Sequence, residues 1–506
     1  MLDLRVFEPV EQHQEAALKR PIRSKLFLKE KFDSNGTSLG FKARLVAGGH
    51  MQDRSLLLPE EISSPTAPTP FIFAVASIAA AEGRSVATAD VPGAYLHADI
   101  SHQNIAMRLD NFLTSTIIQL HPEWERFRRS DGTLTVKLHR ALYGCVESGK
   151  LWYDKLRAIL EADGFAANPI APCIMNKTVN GIQITVVIYV DDLLLTSKDD
   201  NMIQSTVTHL SKSLSTELKL KRGSIHSYLG MTWDFSESKK CKISMPAYTA
   251  DILADTGITS SIDSPAASHL FAVREGAPKL SYDKSDKFHS LVAKCSYMAK
   301  RTRPDILLPV SFLSTRVQSP DEDDWSKLLR VLKYLCATPS LGIALQCDDP
   351  INIQSYIDAS YAPHSDFRSH TGMVVSLGRG PIDVASTKQK INTKSSAEAE
   401  LIALSDKASH VIWCREFLIA QGHNIPAAVI HQDNQSTITL ASNGAASSDR
   451  TRHVSIRHYW LKDRINSNEI EVVYRPTDEM IADILTKPLH GDKFVQLRDL
   501  LLNWKL

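Results

Sequence analysis

Asp191 and Asp192 stand side by side in a strongly apolar stretch, with Val186-Val187-Ile188-Tyr189-Val190 before them and Leu193-Leu194-Leu195 after. This feature limits the fold more than any other. Unbroken aliphatic and β-branched runs read as buried strands, and two of them around a dipeptide read as a hairpin whose tip presents two carboxylates. Asp199-Asp200, Asp323-Asp324 and Asp348-Asp349 lack such flanks. Acids this close to an apolar core are costly unless paired or bound to a cation. A third carboxylate from a neighbouring strand would complete an all-oxygen set suited to Mg²⁺. Two such ions about 3.5–4 Å apart can activate a hydroxyl and stabilise a leaving oxygen.

The chain has 506 residues, too many for one core, so two to four domains are expected. Net charge is +1, and bulk charge does not announce a nucleic-acid binder. Local charge is more telling: eight basic residues lie between Lys19 and Arg44, and five between Arg450 and Arg464. Such patches can follow a phosphate backbone, although a solvated face accounts for charge alone. The seven cysteines are scattered without a C-x-x-C, which argues against zinc and a disulfide framework. No signal pattern opens the chain, and the apolar stretch 71–81 is too short to span a bilayer. A soluble intracellular protein with no membrane partner is expected.

Along the chain, residues 1–60 predict a hairpin turning at Asp33-Ser34-Asn35-Gly36. Helices are expected at 71–82, 151–163, 201–218, 282–300 and 321–336, which makes 240–340 mostly α. From about 349 the pattern changes to three strands (353–357, 372–377, 382–386) and a helix at 396–420. A strand at 429–432, helices near 435–442 and 452–466, a strand at 470–474 and a last helix near 478–486 follow. That order demands a mixed sheet with helices on it.

This second region carries its own acids: Asp358 in the first strand, Glu400 on the long helix, Asp433 after the fourth strand and Asp483 on the last helix. Each alone reads as a surface carboxylate, and Asp433 as a helix N-cap. Together, adjacent strand ends and facing helices can gather them into a second cluster that needs cations. Glu398 and Glu400 are two apart on a helix, so only one can point inward. His364, His370, His453 and His458 fall in this half, and His453 and His458, in a basic helical stretch, suit structural or nucleic-acid-facing roles better than an all-oxygen metal site.

Several segments in order resemble the reverse transcriptase and ribonuclease H region of copia-type LTR retrotransposon (Ty1/copia) polyproteins. Tyr189-Val190-Asp191-Asp192 is similar to the reverse transcriptase signature. Thr88-Ala89-Asp90-Val91-Pro92-Gly93-Ala94-Tyr95 is similar to the first palm motif. The resemblance implies that Asp90, Asp191 and Asp192 are catalytic metal ligands, and that Tyr95 lies beneath the incoming sugar and selects against a 2′-hydroxyl. Lys42-Ala43-Arg44 looks like the fingers motif, so Lys42 and Arg44 would touch the triphosphate. Tyr143-Gly144 with Trp152 is similar to the segment beside the nucleotide pocket. Tyr228-Leu229-Gly230-Met231 resembles the primer grip, and Thr302-Arg303-Pro304-Asp305-Ile306 the family's T-R-P-D-I. Tyr189, Leu229 and Gly230 join the substrate-contacting set. Asp358-Ala359-Ser360, Ser395-Ser396-Ala397-Glu398-Ala399-Glu400, Asp433-Asn434-Gln435 and Ala482-Asp483-Ile484-Leu485-Thr486-Lys487 look like the ribonuclease H segments. Glu400-Leu401-x-Ala403 matches the wider E-L-x-A pattern, which favours Glu400 over Glu398. Two segments depart from the commonest family forms, Ala47-Gly48-Gly49-His50-Met51-Gln52 and Tyr143-Gly144-Cys145-Val146-Glu147-Ser148.

The resemblance implies an α+β chain: a right-hand polymerase (fingers and palm 1–238, α-rich thumb and connection 239–348), then a ribonuclease H-like mixed α/β domain at 349–490 and a tail at 491–506. It implies an RNA-directed DNA polymerase with ribonuclease H activity, using Mg²⁺, with Mn²⁺ as a substitute. Expected partners are an RNA template, a DNA primer, RNA–DNA hybrid and dNTPs, with an upstream integrase or other polyprotein parts. The expected location is a cytoplasmic virus-like particle, with nuclear passage. No gag, protease or integrase is recognisable, so the alternative is a truncated or domesticated remnant that binds nucleic acid without catalysis. A repair or RNA-guided polymerase is disfavoured, having no use for a tethered ribonuclease H.

Overall fold

The structure, a computed structural model, describes residues 4–32, 38–443 and 452–504. Helices and four sheets give the expected α+β architecture.

The N-terminal sheet orders Phe7–Pro9, Leu134–Leu138, Ala106–Leu109, Ile22–Phe32 and Ser38–Ala47 over its own apolar core. The last two pair antiparallel, while the expected turn at Asp33–Gly36 lies outside the described residues. The next sheet orders Lys219–Arg222, Ser85–Asp90, Asp192–Ser197, Ile182–Tyr189, Ile174–Val179 and Ala166–Ala167. Its central strands are buried along most of their length, as their β-branched content requires.

A third sheet runs Ile225–Tyr228, Met231–Asp234, Cys241–Ser244, Gly342–Cys347 and Gly378–Arg379. It therefore crosses positions 238 and 348, where domain boundaries were expected, and adds strands to a region read as mostly α. Helices Tyr282–Ala299, Leu307–Ser314 and Glu322–Ala337 pack between.

The fourth sheet orders Asp383–Asn392, Arg368–Ser376, Gln354–Ser360, Ala428–Gln432 and Ile470–Tyr474, the last three parallel. Helix Ser396–Ala420 matches its expected bounds. Two expectations are corrected. The helix near 478–486 is instead two 3₁₀ turns, Thr477–Glu479 and Ile481–Leu485. The last turn buries Ala482, Asp483, Ile484 and Leu485, which leaves no outer face for an amphipathic α-helix. The tail is also a helix, Gly491–Leu502, with Phe494, Leu497, Leu501 and Leu502 buried.

Helix Thr69–Ala81 is apolar on every side and must be covered all round. Phe71 stacks on Phe417 of helix Ser396–Ala420, with centroids 4.0 Å apart and planes at 8°. At that helix's end, Gln421 is 4% exposed and accepts from Asn168 Nδ2 at 2.9 Å, while its carbonyl accepts from Gln183 Nε2 at 2.9 Å. One continuous apolar core joins the second, third and fourth sheets. Among the described residues no helix is long and apolar enough to cross a membrane.

Candidate active sites

Ile182–Tyr189 pairs antiparallel with Asp192–Ser197, and Tyr189 faces Asp192, so Val190 and Asp191 make the whole turn. Val190 has φ of +61°, a strained conformation for a β-branched residue. Positive φ at the first turn position only is the pattern of a type II′ hairpin. Trp152 Nε1 donates to the Val190 carbonyl at 2.6 Å, and the Val91 amide to the Asp191 carbonyl at 3.0 Å.

Asp90 faces Asp192 on one side and Lys219 on the other, across paired strands. The Asp192 carboxyl is pushed up by burial, then by the charges of Asp191 and Asp90. A divalent cation among them would relieve that repulsion, and the donors are all oxygen, so these residues fit a hard ion.

A cleft of about 630 Å³ opens over these acids, lined by Arg44, Gly93, Tyr143 and Lys219 among others. Tyr95 meets Tyr143 edge-on, with centroids 4.7 Å apart, and the Arg44 guanidinium lies 5.7 Å from the Tyr143 ring. Burial, then Asp191, pushes both phenols up, so both stay neutral. Lys42 stands opposite Lys29 on Ser38–Ala47; its side chain lies outside the described residues.

Gly144 has φ of +93°, and a Cβ there would come 2.1 Å from the Ala47 carbonyl oxygen; one on Gly49 would come 1.9 Å from that of Gly144. Gln52 Nε2 donates to Glu147 Oε2 at 2.9 Å, and the Val146 amide to Gln52 Oε1 at 2.8 Å. The two segments that depart from the family pattern thus pack against each other. Leu229 and Gly230, with φ of +52° and +74°, form the two-residue turn between Ile225–Tyr228 and Met231–Asp234. Tyr297 Oη reaches the Leu229 carbonyl at 3.5 Å.

The second set converges more tightly. Among the described residues, one group of three carboxylates has ligand atoms all within 4.8 Å of one another: Asp358, Glu400 and Asp433. Asp358 is 1% and Glu400 5% exposed. Burial, then Asp358 and Asp433, pushes the Glu400 carboxyl far up. Asp358 Oδ1 is buried with no hydrogen bond and only the Lys487 ammonium 3.5 Å away, an under-satisfied oxygen beside two other carboxylates that fits a bound cation.

Asp483 stands just outside this triad. Lys487 Nζ lies 2.7 Å from Asp483 and 3.5 Å from Asp358. Burial, then Asp358, lifts Asp483 to about 6 against the pull of Lys487, and Thr486 Oγ1 donates to Asp358 Oδ2. Glu398 faces away, its Oε2 accepting from the Lys394 amide at 2.6 Å as a helix cap. Asp433 accepts from Thr477 Oγ1 at 2.8 Å. Capping instead falls to Asn434, whose Oδ1 accepts from the Thr437 amide at 3.0 Å. His458 is buried against the Leu440 carbonyl at 3.3 Å; the side chain of His453 lies outside the described residues.

Sequence reading missed Lys219, Thr486 and Lys487 as site residues. The Leu218-Lys219-Leu220-Lys221 alternation is a short strand signal that could have placed Lys219. Lys487, four residues after Asp483, had the spacing of an ion pair.

With this fold and these acids in place, the class is clear: the chain belongs to the reverse transcriptase (RNA-dependent DNA polymerase) family, whose sequence profile matches residues 6–266, more than half of its length. Its relatives are Ty1/copia-type Pol polyproteins. It is 28% identical over 491 residues to the Retrovirus-related Pol polyprotein from transposon TNT 1-94 of Nicotiana tabacum, covering 95% of this chain and 36% of that protein. It is 29% identical over 473 residues to the polyprotein from transposon RE2 of Arabidopsis thaliana, covering 91% and 30%. To the Transposon Ty1-ER2 Gag-Pol polyprotein of Saccharomyces cerevisiae it is 23% identical over 490 residues, covering 93% and 26%. The chain thus spans about a third of the length of these curated relatives. A foamy viral protease-reverse transcriptase, solved in complex with double-stranded DNA, shares its fold: TM-score 0.50 and 12% identity over 94% of this chain and 68% of that one.

Proposed function

We propose that the chain is an RNA-directed DNA polymerase that also cleaves RNA in RNA–DNA hybrid, copying retrotransposon RNA into DNA. The polymerase reading rests on Asp90 facing Asp192 across paired strands beside the Asp191 turn, within a family that copies RNA. The ribonuclease H reading rests on the Asp358, Glu400 and Asp433 group.

Asp90, Asp191 and Asp192 would hold Mg²⁺, or Mn²⁺, at the first site, and Asp358, Glu400, Asp433 and Asp483 at the second. When bound, such ions would neutralise phosphoryl oxygens and favour an ionised hydroxyl or water as nucleophile. The remaining roles belong to side chains and backbone. Arg44, with Lys42 on the same strand, binds the triphosphate from the cleft wall, and Lys219 adds a cation opposite Asp90. Tyr95, which packs edge-on against Tyr143, would floor the sugar pocket and select against a 2′-hydroxyl. Gly144 brings its backbone close to Ala47, and the Leu229-Gly230 turn bears on the primer end. At the second site, the hybrid is read through 2′-hydroxyls in the minor groove.

The substrates are dNTPs, an RNA template and a DNA primer. Fingers and palm (to 238), thumb (to 348) and ribonuclease H (to 490) remain the proposed regions, held together by the sheet that runs across both joins. Other polyprotein parts as partners, and a cytoplasmic particle with nuclear passage, are proposed with them. Primer extension on an RNA template with Mg²⁺ tests the proposal. Extension by the wild-type chain that is lost in Asp191→Asn/Asp192→Asn supports it. No extension with Mg²⁺ or Mn²⁺ from folded protein would favour the non-catalytic remnant.

A further inference from the structure

Behind the second acidic site, a buried chain of hydrogen bonds ends on the backbone segment that carries Asp483 and Thr486. His364 Nε2 lies 3.0 Å from His370 Nδ1, and His370 Nε2 lies 2.8 Å from Ser386 Oγ. Ser386 Oγ donates to the Leu485 carbonyl at 2.8 Å. Each link dictates the next. The carbonyl can only accept, so it takes the single hydroxyl proton of Ser386. Ser386 Oγ then accepts from His370 Nε2–H. In a neutral imidazole this leaves His370 Nδ1 as acceptor for His364 Nε2–H. Burial, with Lys388 nearby, lowers His364 to about 4. Burial, with His364, Lys388 and Lys407, lowers His370 to about 3. Both rings are therefore neutral near pH 7.

Both ends of the chain are anchored. The Phe271 ring lies 4.7 Å from His364 and 5.4 Å from His370, and Phe312 stacks 6.2 Å from His364. Ser311 Oγ donates to the Ser386 carbonyl at 2.7 Å. These three residues precede the fourth sheet and belong to the expected thumb region. At the other end, Gly372, paired with Ser386, lets Ile481–Leu485 lie close. A Cβ there would come 3.0 Å from the Ala482 carbonyl oxygen and 3.0 Å from Leu485 Cβ.

We propose that His364, His370 and Ser386 form a positioning relay, sealed from the thumb side, that fixes the Ile481–Leu485 turn and so the Asp483 carboxylate and Thr486 hydroxyl beside Asp358. None of the three touches the reacting atoms. The effect on cleavage rests on the ribonuclease H reading; the positioning does not.

The test is hydrogen–deuterium exchange of amides 481–487 in the full, metal-free chain, comparing wild type, Ser386→Ala and Ser386→Thr. Losing one buried hydrogen bond speeds local opening about tenfold in Ser386→Ala. Ser386→Thr, which keeps the hydroxyl, restores the wild-type rate, and amides 182–197 are unchanged throughout. Unchanged exchange at 481–487 in Ser386→Ala overturns the relay. Cleavage of a labelled RNA–DNA hybrid is measured in parallel: Ser386→Ala lowers kcat about fivefold and leaves primer extension alone. A wild-type chain that shows the exchange pattern but cuts no hybrid supports the relay and overturns only the ribonuclease H reading.

Discussion

The Trp152 indole donates to the Val190 carbonyl at 2.6 Å, tying helix Ser148–Ala162 to the strained residue between Tyr189 and Asp191. A β-branched residue at positive φ costs roughly 1–3 kcal/mol and persists only where its surroundings over-determine it. The indole supplies that constraint. Trp152→Phe keeps an aromatic ring, smaller than the indole, and deletes the donor. Extension should fall about tenfold, with little effect on hybrid cleavage, in side-by-side assays of both reactions. Val190→Gly should release the strain and raise the melting temperature.

The T-R-P-D-I segment makes a stability prediction. Arg303 and Asp305 are paired at 2.8 Å with both side chains at 0% exposure. Tyr334 Oη donates to Asp305 at 2.7 Å, and Arg303 donates to the Thr338 carbonyl at 2.8 Å. Asp305→Asn strands a buried guanidinium and should cost about 3–5 kcal/mol. Arg303→Met/Asp305→Leu, which removes both charges, should recover most of that loss. Urea denaturation followed by tryptophan fluorescence measures both.

The second acidic site predicts a pH dependence. Burial and Asp358 lift Asp483 to about 6, above its unfolded value of 3.8. Its contribution to stability without metal is therefore fully present below that unfolded value and is lost as pH rises through about 6. Bound divalent cations reverse the sign, because they need the ionised form. Thermal melts should show Mg²⁺ stabilising the chain little at pH 5 and clearly at pH 7.5. Asp483→Asn should flatten the metal-free slope.

Lys487 predicts a charge effect at the same site. Its ammonium stands between Asp483 and Asp358, where it would compete with a bound divalent ion. Lys487→Met should lower the Mg²⁺ concentration for half-saturation several-fold, as read by titration calorimetry, although it leaves two buried carboxylates short of a partner. An unchanged titration would mean that Lys487 does not guard the site.

The palm hairpin was legible because Val186–Ile188 and Leu193–Leu195 could only be buried strands, and helix Ser396–Ala420 because its apolar period is long. Glu400 was separable from Glu398 by its motif, and the geometry turns only Glu400 toward Asp358. The strand Lys219–Arg222 was not legible: it is four residues long and mostly exposed, and only its pairing with Ser85–Asp90 brings Lys219 to the acids. Gly342–Cys347 and Cys241–Ser244 pair across almost a hundred residues, a tertiary choice that local pattern does not encode. The terminal helix had its signal in the spacing of Phe494, Leu497 and Leu501, but was read as a tail. The histidine pair was visible only as two scattered residues, since its meaning comes from the carbonyl of Leu485.

On the proposed function, the two separate acidic sites each carry out their own reaction. The most direct measurement assays Asp192→Asn and Glu400→Gln, with Glu398→Gln as control, for extension of a DNA primer on labelled RNA and for cleavage of that RNA in hybrid. Asp192→Asn should lose extension and keep cleavage, Glu400→Gln should do the reverse, and Glu398→Gln should keep both. Loss of both reactions in either folded single variant, or cleavage that depends on Glu398 instead of Glu400, would contradict the proposal.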